Sequence, residues 1–324
     1  MTIDSVKQEE LTDAVRDSSL QTQKERGPKL RQLHPKSHGL VSGKFTIEKN
    51  ISEKCKVGVF AQPKEYDIWV RFSNGSPPKE HERNVLHPDQ KGDVRGMAIK
   101  LKNVAGEKVP SDEDDTQDFV LINHHVFFLP DVQGYIDFGQ FQASPNPELE
   151  KKLEDSLKIL GAINNKVIGN PLSIQYWSTT PYKLGSNFIK FSVKPHELET
   201  SPSSLSSLPK SESYLREAMV KYLTTDQKQA TFDFFIQFYV DEDQTPIENP
   251  MKEWEEAVSP SIKVATITIP SQIFDCDERK KLDESLSFTP WHTLPEHEPV
   301  GSVNLSRRRI YQATAEARRR ESSE

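Results

Sequence analysis

The chain has 324 residues, enough for one large or two small domains. Its 42 basic and 49 acidic residues give a net charge of −7, which excludes a general electrostatic grip on nucleic acid or anionic lipid and leaves neutral or small-molecule partners. Hydrophobic residues make up 34%, a lean core, but 16 Phe, 8 Tyr and 4 Trp bring large buried areas. Cys55 and Cys276 stand far apart without a Cys-x-x-Cys pair, which disfavours structural zinc, a disulfide scaffold and c-type haem attachment. No apolar run reaches the ~18 residues of a membrane span, the polar start lacks a signal-peptide core, and the final Glu-Ser-Ser-Glu is no peroxisomal tripeptide. A cytoplasmic location is expected.

Residues 1–27 are charged, poor in apolar side chains and closed by Gly27-Pro28, so a solvated polar arm with at most a short helix is expected, and the fold begins near Lys29. Strands are expected at 39–47, 57–61, 67–73, 94–101 and 118–123. In 67–73, alternation sets Ile68, Val70 and Phe72 on one face and Trp69, Arg71 and Ser73 on the other. Leu149, Leu153, Leu157 and Leu160 predict a helix over 147–160. Strands are expected again at 173–178, 187–193, 230–240 and 261–269, a helix at 214–223, and a Ser/Pro/Leu linker at 201–213. Residues 305–320 lack Gly and Pro and predict a terminal helix. About nine strands with late helices favour an α+β fold built on a closed antiparallel barrel with helical additions.

Chemistry concentrates in four places. On the terminal helix, Arg307, Tyr311 and Arg318 fall within about 40° of one another at 100° per residue, so a phenol lies between two guanidiniums. Tyrosine ionises near ~10 and a neighbouring cation favours the phenolate, the form that ligates ferric iron. Arg307-Arg308-Arg309 also reads as a solvated face or a nuclear import patch. Arg31 and His34, three apart in extended chain, serve different walls, one suited to an anion and one to acid–base work. The third place is Val70-Arg71-Phe72-Ser73-Asn74-Gly75 with Arg95-Gly96-Met97-Ala98, and the fourth is the strand from Asp118 to Asn123 with His124-His125-Val126-Phe127-Phe128 after it.

Taken in order, Arg-x-x-His-x-Lys, Val-Arg-Phe-Ser, Arg-Gly-x-Ala-x-Lys, Asn-x-x-Val-Phe-Phe and Arg-x-x-x-Tyr resemble the haem catalases and their smaller catalase-related relatives over residues 31–318. The resemblance implies a catalase-type barrel with a C-terminal haem-ligating helix: a catalase-like domain over 28–324, barrel to about 270, haem-ligating segment 271–324. It implies haem b as cofactor, with His34 and Asn123 as the distal pair and Ser73 steadying the histidine. It places Arg31, Arg71 and Arg318 on the propionates, makes Tyr311 the axial iron ligand and has Arg307 hold that ligand ionised. The implied function is peroxide-metabolising oxidoreduction on hydrogen peroxide or an organic or fatty-acid hydroperoxide, with a homo-oligomer left open. A non-catalytic haem or lipid-binding module on the same barrel is the alternative.

The departures from the pattern are specific. The stretch after His34 is one residue longer and carries His38, a rival for the distal role, although only His34 keeps the three-residue step from Arg31. His124-His125 stands where catalases carry Thr-Pro, and Gln312-Ala313 replaces the Pro and Asp after the axial Tyr. Only 33 residues precede His34 and 13 follow Tyr311, which leads us to expect a more open haem edge that admits a bulky hydroperoxide past Phe127, Phe128 and Tyr135. Asp112, Glu113, Asp114 and Asp115 lack the spacing of a calcium loop and read as a solvated acidic loop. His292, Glu296 and His297 read as loop or packing residues, and Gly-rich phosphate cradles are absent.

Overall fold

The structure, a computed structural model, describes residues 5–27, 29–77, 85–111, 113, 115–198 and 207–323. Its centre is an antiparallel barrel of β1 (Ser37–Ile47), β2 (Glu65–Asn74), β3 (Arg95–Leu101), β4 (Gln117–Ile122), β5 (Tyr176–Trp177), β7 (Asn187–Pro195), β8 (Ala230–Phe238) and β9 (Ile262–Ile269). A ninth strand, β6 (Tyr182–Leu184), folds back on β7 as a hairpin. The ring closes through the two residues of β5, which pair with β4 at Ile122↔Trp177 and with β7 at Tyr176↔Val193. Closure leaves the eight barrel strands without a free edge.

The alternation expected for β2 is present: Ile68, Val70 and Phe72 face the interior with Met97, Ile99, Phe232, Phe234 and Ile267. Phenylalanine fills the middle of the barrel, where Phe119 lies 5.0 Å from Phe234 and 5.2 Å from Phe191 between ring centroids. Such pairs are worth about 0.5–1.5 kcal/mol each beyond their buried area. The opposite pleat carries Arg71 and Ser73 on β2 and Gly96 and Lys100 on β3, and all four are buried. Polar residues buried on the outside of a barrel mean that other elements cover it there.

The covering elements are helical: α1 (Ser5–Arg26), α2 (Val132–Ala143), α3 (Pro147–Lys152), α4 (Glu154–Asn164), α5 (Tyr214–Val220), α6 (Asp277–Ser285) and α7 (Ser302–Ser323). No helix among the described residues is long and apolar enough to cross a membrane. The expected solvated arm is instead the 22-residue α1, packed along α7 and against α2. Its buried stripe of Thr12, Val15, Ser19 and Gln23 has helical spacing but is polar at three of its four positions, which an apolar-periodicity reading passes over. The stripe bonds to α7: the Thr12 and Ser306 hydroxyls lie 2.7 Å apart, and Gln23 Nε2 donates to the Thr314 carbonyl at 3.2 Å.

Three further expectations change. Residues 57–61 form a 3₁₀ turn over Gly58–Phe60 rather than a strand, because Gly58 is left-handed (φ 55°) and the Val59 N–H donates to His297 Nε2 at 2.9 Å. The single helix over 147–160 is broken at Leu153 into α3 and α4, with Leu153 buried at the joint. The strand over 173–178 shrinks to β5, preceded by a 3₁₀ turn at Pro171–Ser173. Within the expected linker and acidic loop, residues 201–206, Asp112 and Asp114 lie outside the described residues.

Candidate functional site

Three strand ends prepare the site. The register sets Ser73 opposite Gly96 and Gly96 opposite Ile122, so the ends of β2, β3 and β4 bring Ser73, Gly96 and Asn123 to one end of the sheet. His34 arrives from the loop before β1 in a left-handed conformation (φ 57°), its N–H donating to the Gly75 carbonyl at 3.0 Å. Its Nδ1 lies 3.0 Å from Ser73 Oγ. A Cβ at Gly96 would come within 2.5 Å of His34 Nδ1 and 2.9 Å of Ser73 Oγ, so the ring approaches the sheet only because position 96 has no side chain. The imidazole is pushed down to about 3, first by burial and then by the guanidiniums of Arg71, Arg307 and Arg31, and is therefore neutral near pH 7.

Asn123 is held by β3. Its N–H donates to the Arg95 carbonyl at 3.0 Å, and its Oδ1 accepts from the Arg95 N–H at 2.8 Å. Nδ2 is buried with no hydrogen-bond partner, a donor that would cost about 1–3 kcal/mol if nothing ever met it.

Arg31, Arg71 and Arg318 converge on the C-terminal end of α6. Arg71 Nε donates to Asp283 Oδ1 at 2.7 Å, Arg31 Nη2 to the carbonyls of Asp283 (2.6 Å) and Leu286 (2.7 Å), and Arg318 to those of Glu284 and Leu286. Carbonyls at a helix C-terminus suit cations. The three guanidiniums lie close enough to repel one another, with Asp283 and Glu284 as the carboxylates that act against this. Burial and then the charge of Arg71 push Arg318 down to about 10, and the same two causes hold Arg31 well below its ordinary value. Burial alone would raise the Asp283 carboxyl, but Arg71 and Arg31 outweigh it and hold it low. Arg71 Nη2 is buried without a partner.

On α7, Arg307 donates to Thr180 Oγ1 and Asn304 Oδ1, both at 3.1 Å, and stacks 5.2 Å from the Phe127 ring. Its charge is shared by three phenols, Tyr135, Tyr311 and Tyr182, which raise it in spite of burial. The Tyr182 hydroxyl is buried and unpartnered. Tyr311 is half-buried and borders a cavity of about 40 Å³ with Phe288, Trp291 and Arg308. Arg307 thus acts electrostatically on both His34 and the Tyr311 surroundings. Phe127, Phe128, Tyr135 and Phe138 form an aromatic group against α7, with neighbouring centroids 5.0–5.8 Å apart.

The other candidates fall elsewhere. His38 is enclosed with Asn74 (2.7 Å), and Asn74 bonds in turn to Asp89 and Arg95. Glu113 and His292 belong to a buried network with Lys100 and Asp118, in which His292 Nδ1 is 2.9 Å from Asp118. No group of His, Cys, Asp or Glu among the described residues is arranged to hold a metal ion. A cavity of about 680 Å³ beside β8 and the end of α5, lined by His196, Lys221, Tyr222 and Asp226 among others, contains none of the site residues. Sequence reasoning missed Asp283, the contact role of Gly96 and the place of Tyr182 beside Arg307. Asp283 sits in a charged helix where no pattern marks it, whereas Gly96 was visible as a glycine inside a strand run.

Residues 9–159 match the family model of catalase. In fold, the chain is similar to a bacterial catalase (TM-score 0.69, 18% identity, covering 89% of this chain and 57% of that one). It is similar as well to a fungal catalase (0.70, 18%, 93% and 62%) and to catalase A from Saccharomyces cerevisiae (0.68, 17%, 89% and 60%). The chain therefore spans about six tenths of the length of these catalases. Comparison with curated proteins gives no match.

Proposed function

We propose that this catalase-like chain holds one haem b between the outer pleat of β2–β4 and α7, and that it is a haem-dependent peroxide-metabolising oxidoreductase. The observation that carries the reading is the convergence of Arg31, Arg71 and Arg318 on the Asp283 end of α6, with Arg71 Nη2 buried and unpartnered. Two propionates suit such a cluster, because guanidiniums pair well with carboxylates and Arg71 Nη2 is still open to one. Tyr311, on the same helix as Arg318, would supply the phenolate that holds the iron, with Arg307 supplying positive charge near it.

Haem would supply the redox-active iron needed to cleave an O–O bond. His34, neutral and weakly basic, takes the hydroperoxide proton as the bond breaks and returns it to the leaving oxygen. Ser73 holds the ring through Nδ1. The unpartnered Nδ2 of Asn123 donates to a peroxide oxygen. A haem-storage or lipid-binding module would need the arginines and the phenol but neither the His34–Ser73 pair nor a buried amide donor kept vacant.

Gly96→Ala tests the distal geometry. The added methyl drives His34 off Ser73, and peroxide turnover is expected to fall by about 10², the scale of a 1 Å misplacement, with haem still bound. Wild-type turnover in a folded Gly96→Ala protein would remove His34 from the mechanism.

Organic hydroperoxides are proposed as the favoured substrates. Phe127, Phe128 and Tyr135 give apolar contact area beside Arg307, and Leu33, next to His34, is 45% exposed. On a haem-quantified sample, kcat/KM is expected to be higher for cumene hydroperoxide and a polyunsaturated fatty-acid hydroperoxide than for hydrogen peroxide. Rapid oxygen release from hydrogen peroxide with no organic product would remove the preference and keep the haem reading. A sample that takes up no haem and consumes none of the three would remove both.

A further inference from the structure

β3 secures Asn123 through the N–H and Oδ1, but neither contact fixes its carbonyl, which points out of the ladder where β4 ends. That carbonyl accepts the ammonium of Lys166, which also lies 3.0 Å from His124 Nδ1. Lys166 stands just beyond α4, its N–H donating to the Ile163 carbonyl at 3.2 Å, and its ammonium is 5.8 Å from the Trp177 ring of β5. Asn123 thus has N, Oδ1 and O all engaged, and only Nδ2 is left.

We propose that Lys166 is a positioning residue for the distal amide: its ammonium clamps the Asn123–His124 peptide and so aims Nδ2 at the place where a peroxide binds. The inference rests on the peroxide reading above. The protonation states are complementary near neutral pH, since burial lowers Lys166 only to about 8 while burial, Lys166 and His125 lower His124 to about 4. A charged donor therefore meets a neutral ring nitrogen and a carbonyl, the stronger kind of hydrogen bond. The titratable groups around it are His124, His125, the Glu253 carboxylate 3.3 Å from His125, and Lys190, whose Nζ donates to the Lys252 carbonyl at 3.3 Å. As pH rises through about 8 the ammonium loses its charge, the clamp weakens and turnover should decline.

The test compares wild type with K166M, which keeps the stem, and K166R, which keeps the charge. In the protein without haem, amide exchange over 122–125 is expected to be about tenfold faster in K166M and near wild type in K166R. In the haem-loaded protein, K166M should lower kcat for a hydroperoxide about tenfold with KM within about twofold, and should lose the alkaline decline near pH 8. K166R should restore kcat and carry the decline to higher pH. The proposal is overturned if K166M matches wild type in exchange and pH profile, or if K166R fails to rescue a loss seen in K166M, since that result describes a stem that fills space. Should loaded wild type consume no peroxide, the functional reading fails and the exchange arm alone decides the clamp.

Discussion

Replacing His34 is expected to lower hydroperoxide consumption by about 10² to 10⁴ while haem stays bound, the range typical of a lost general acid–base group. The proposed haem contacts, Arg31, Arg71, Arg318 and Tyr311, are all retained, so the absorption spectrum should survive and the turnover should not. The choice of substitution matters because His34 is left-handed at φ 57°. Alanine there costs about 1–2 kcal/mol of backbone strain, whereas asparagine tolerates that region. His34→Asn should therefore match the loss of turnover in His34→Ala and keep a higher melting temperature. His38→Ala gives the contrast. Its ring is enclosed with Asn74, so its loss should lower stability and spare most of the turnover. Lost turnover in a stable His38→Ala, with His34→Asn near wild type, would transfer the distal role to His38.

The barrel was legible because its signal is local. Ile68, Val70 and Phe72 alternate with Trp69, Arg71 and Ser73, and the two faces of such a run are visible without any knowledge of the partners, although the burial of Arg71 and Ser73 is not. α7 was legible for the same reason, as a long run free of Gly and Pro. α1 was not, since Thr12 and Gln23 are buried with hydrogen bonds to α7, and a helix that packs largely by polar side chains leaves little apolar period. The turn at Gly58–Phe60 misled because Val57, Val59 and Phe60 are strand formers, and the decisive acceptor, His297, is 238 residues from Val59. The site divides similarly. Short motifs marked His34, Ser73, Asn123 and the arginines, but what joins them is long-range. Asp283 is 212 residues from Arg71, and Lys166 is 43 residues from the carbonyl it holds.

Tyr311→Phe is expected to leave the haem-free protein as stable as wild type and to lower haem occupancy by more than about 10-fold, at or beyond the 10–100-fold typical of losing a partner behind a metal ligand. Phenylalanine keeps the ring that borders Phe288 and Trp291, so the change is confined to one oxygen. The arginine cluster lies on the other side of the balance. Arg31, Arg71 and Arg318 remain and can still pair with propionates, so residual weak binding with an altered charge-transfer spectrum is expected rather than none. Arg71→Leu should do the converse. It strips Asp283 of its 2.7 Å partner but leaves Arg31 Nη1 at 3.6 Å, so the haem-free protein itself should lose stability, by less than the about 3–5 kcal/mol that follows when a buried charge is left with no partner. Because that carboxyl is held low by Arg71 and Arg31, the loss should be largest above the ordinary Asp range and shrink as acid protonates Asp283. The two variants thus separate ligation from clamping: one changes the iron spectrum at constant stability, the other changes stability and affinity with the spectrum of any bound haem preserved. Full haem in Tyr311→Phe with unchanged charge-transfer bands would show that another group, with Tyr135 and Tyr182 the nearest phenols to Arg307, is the ligand.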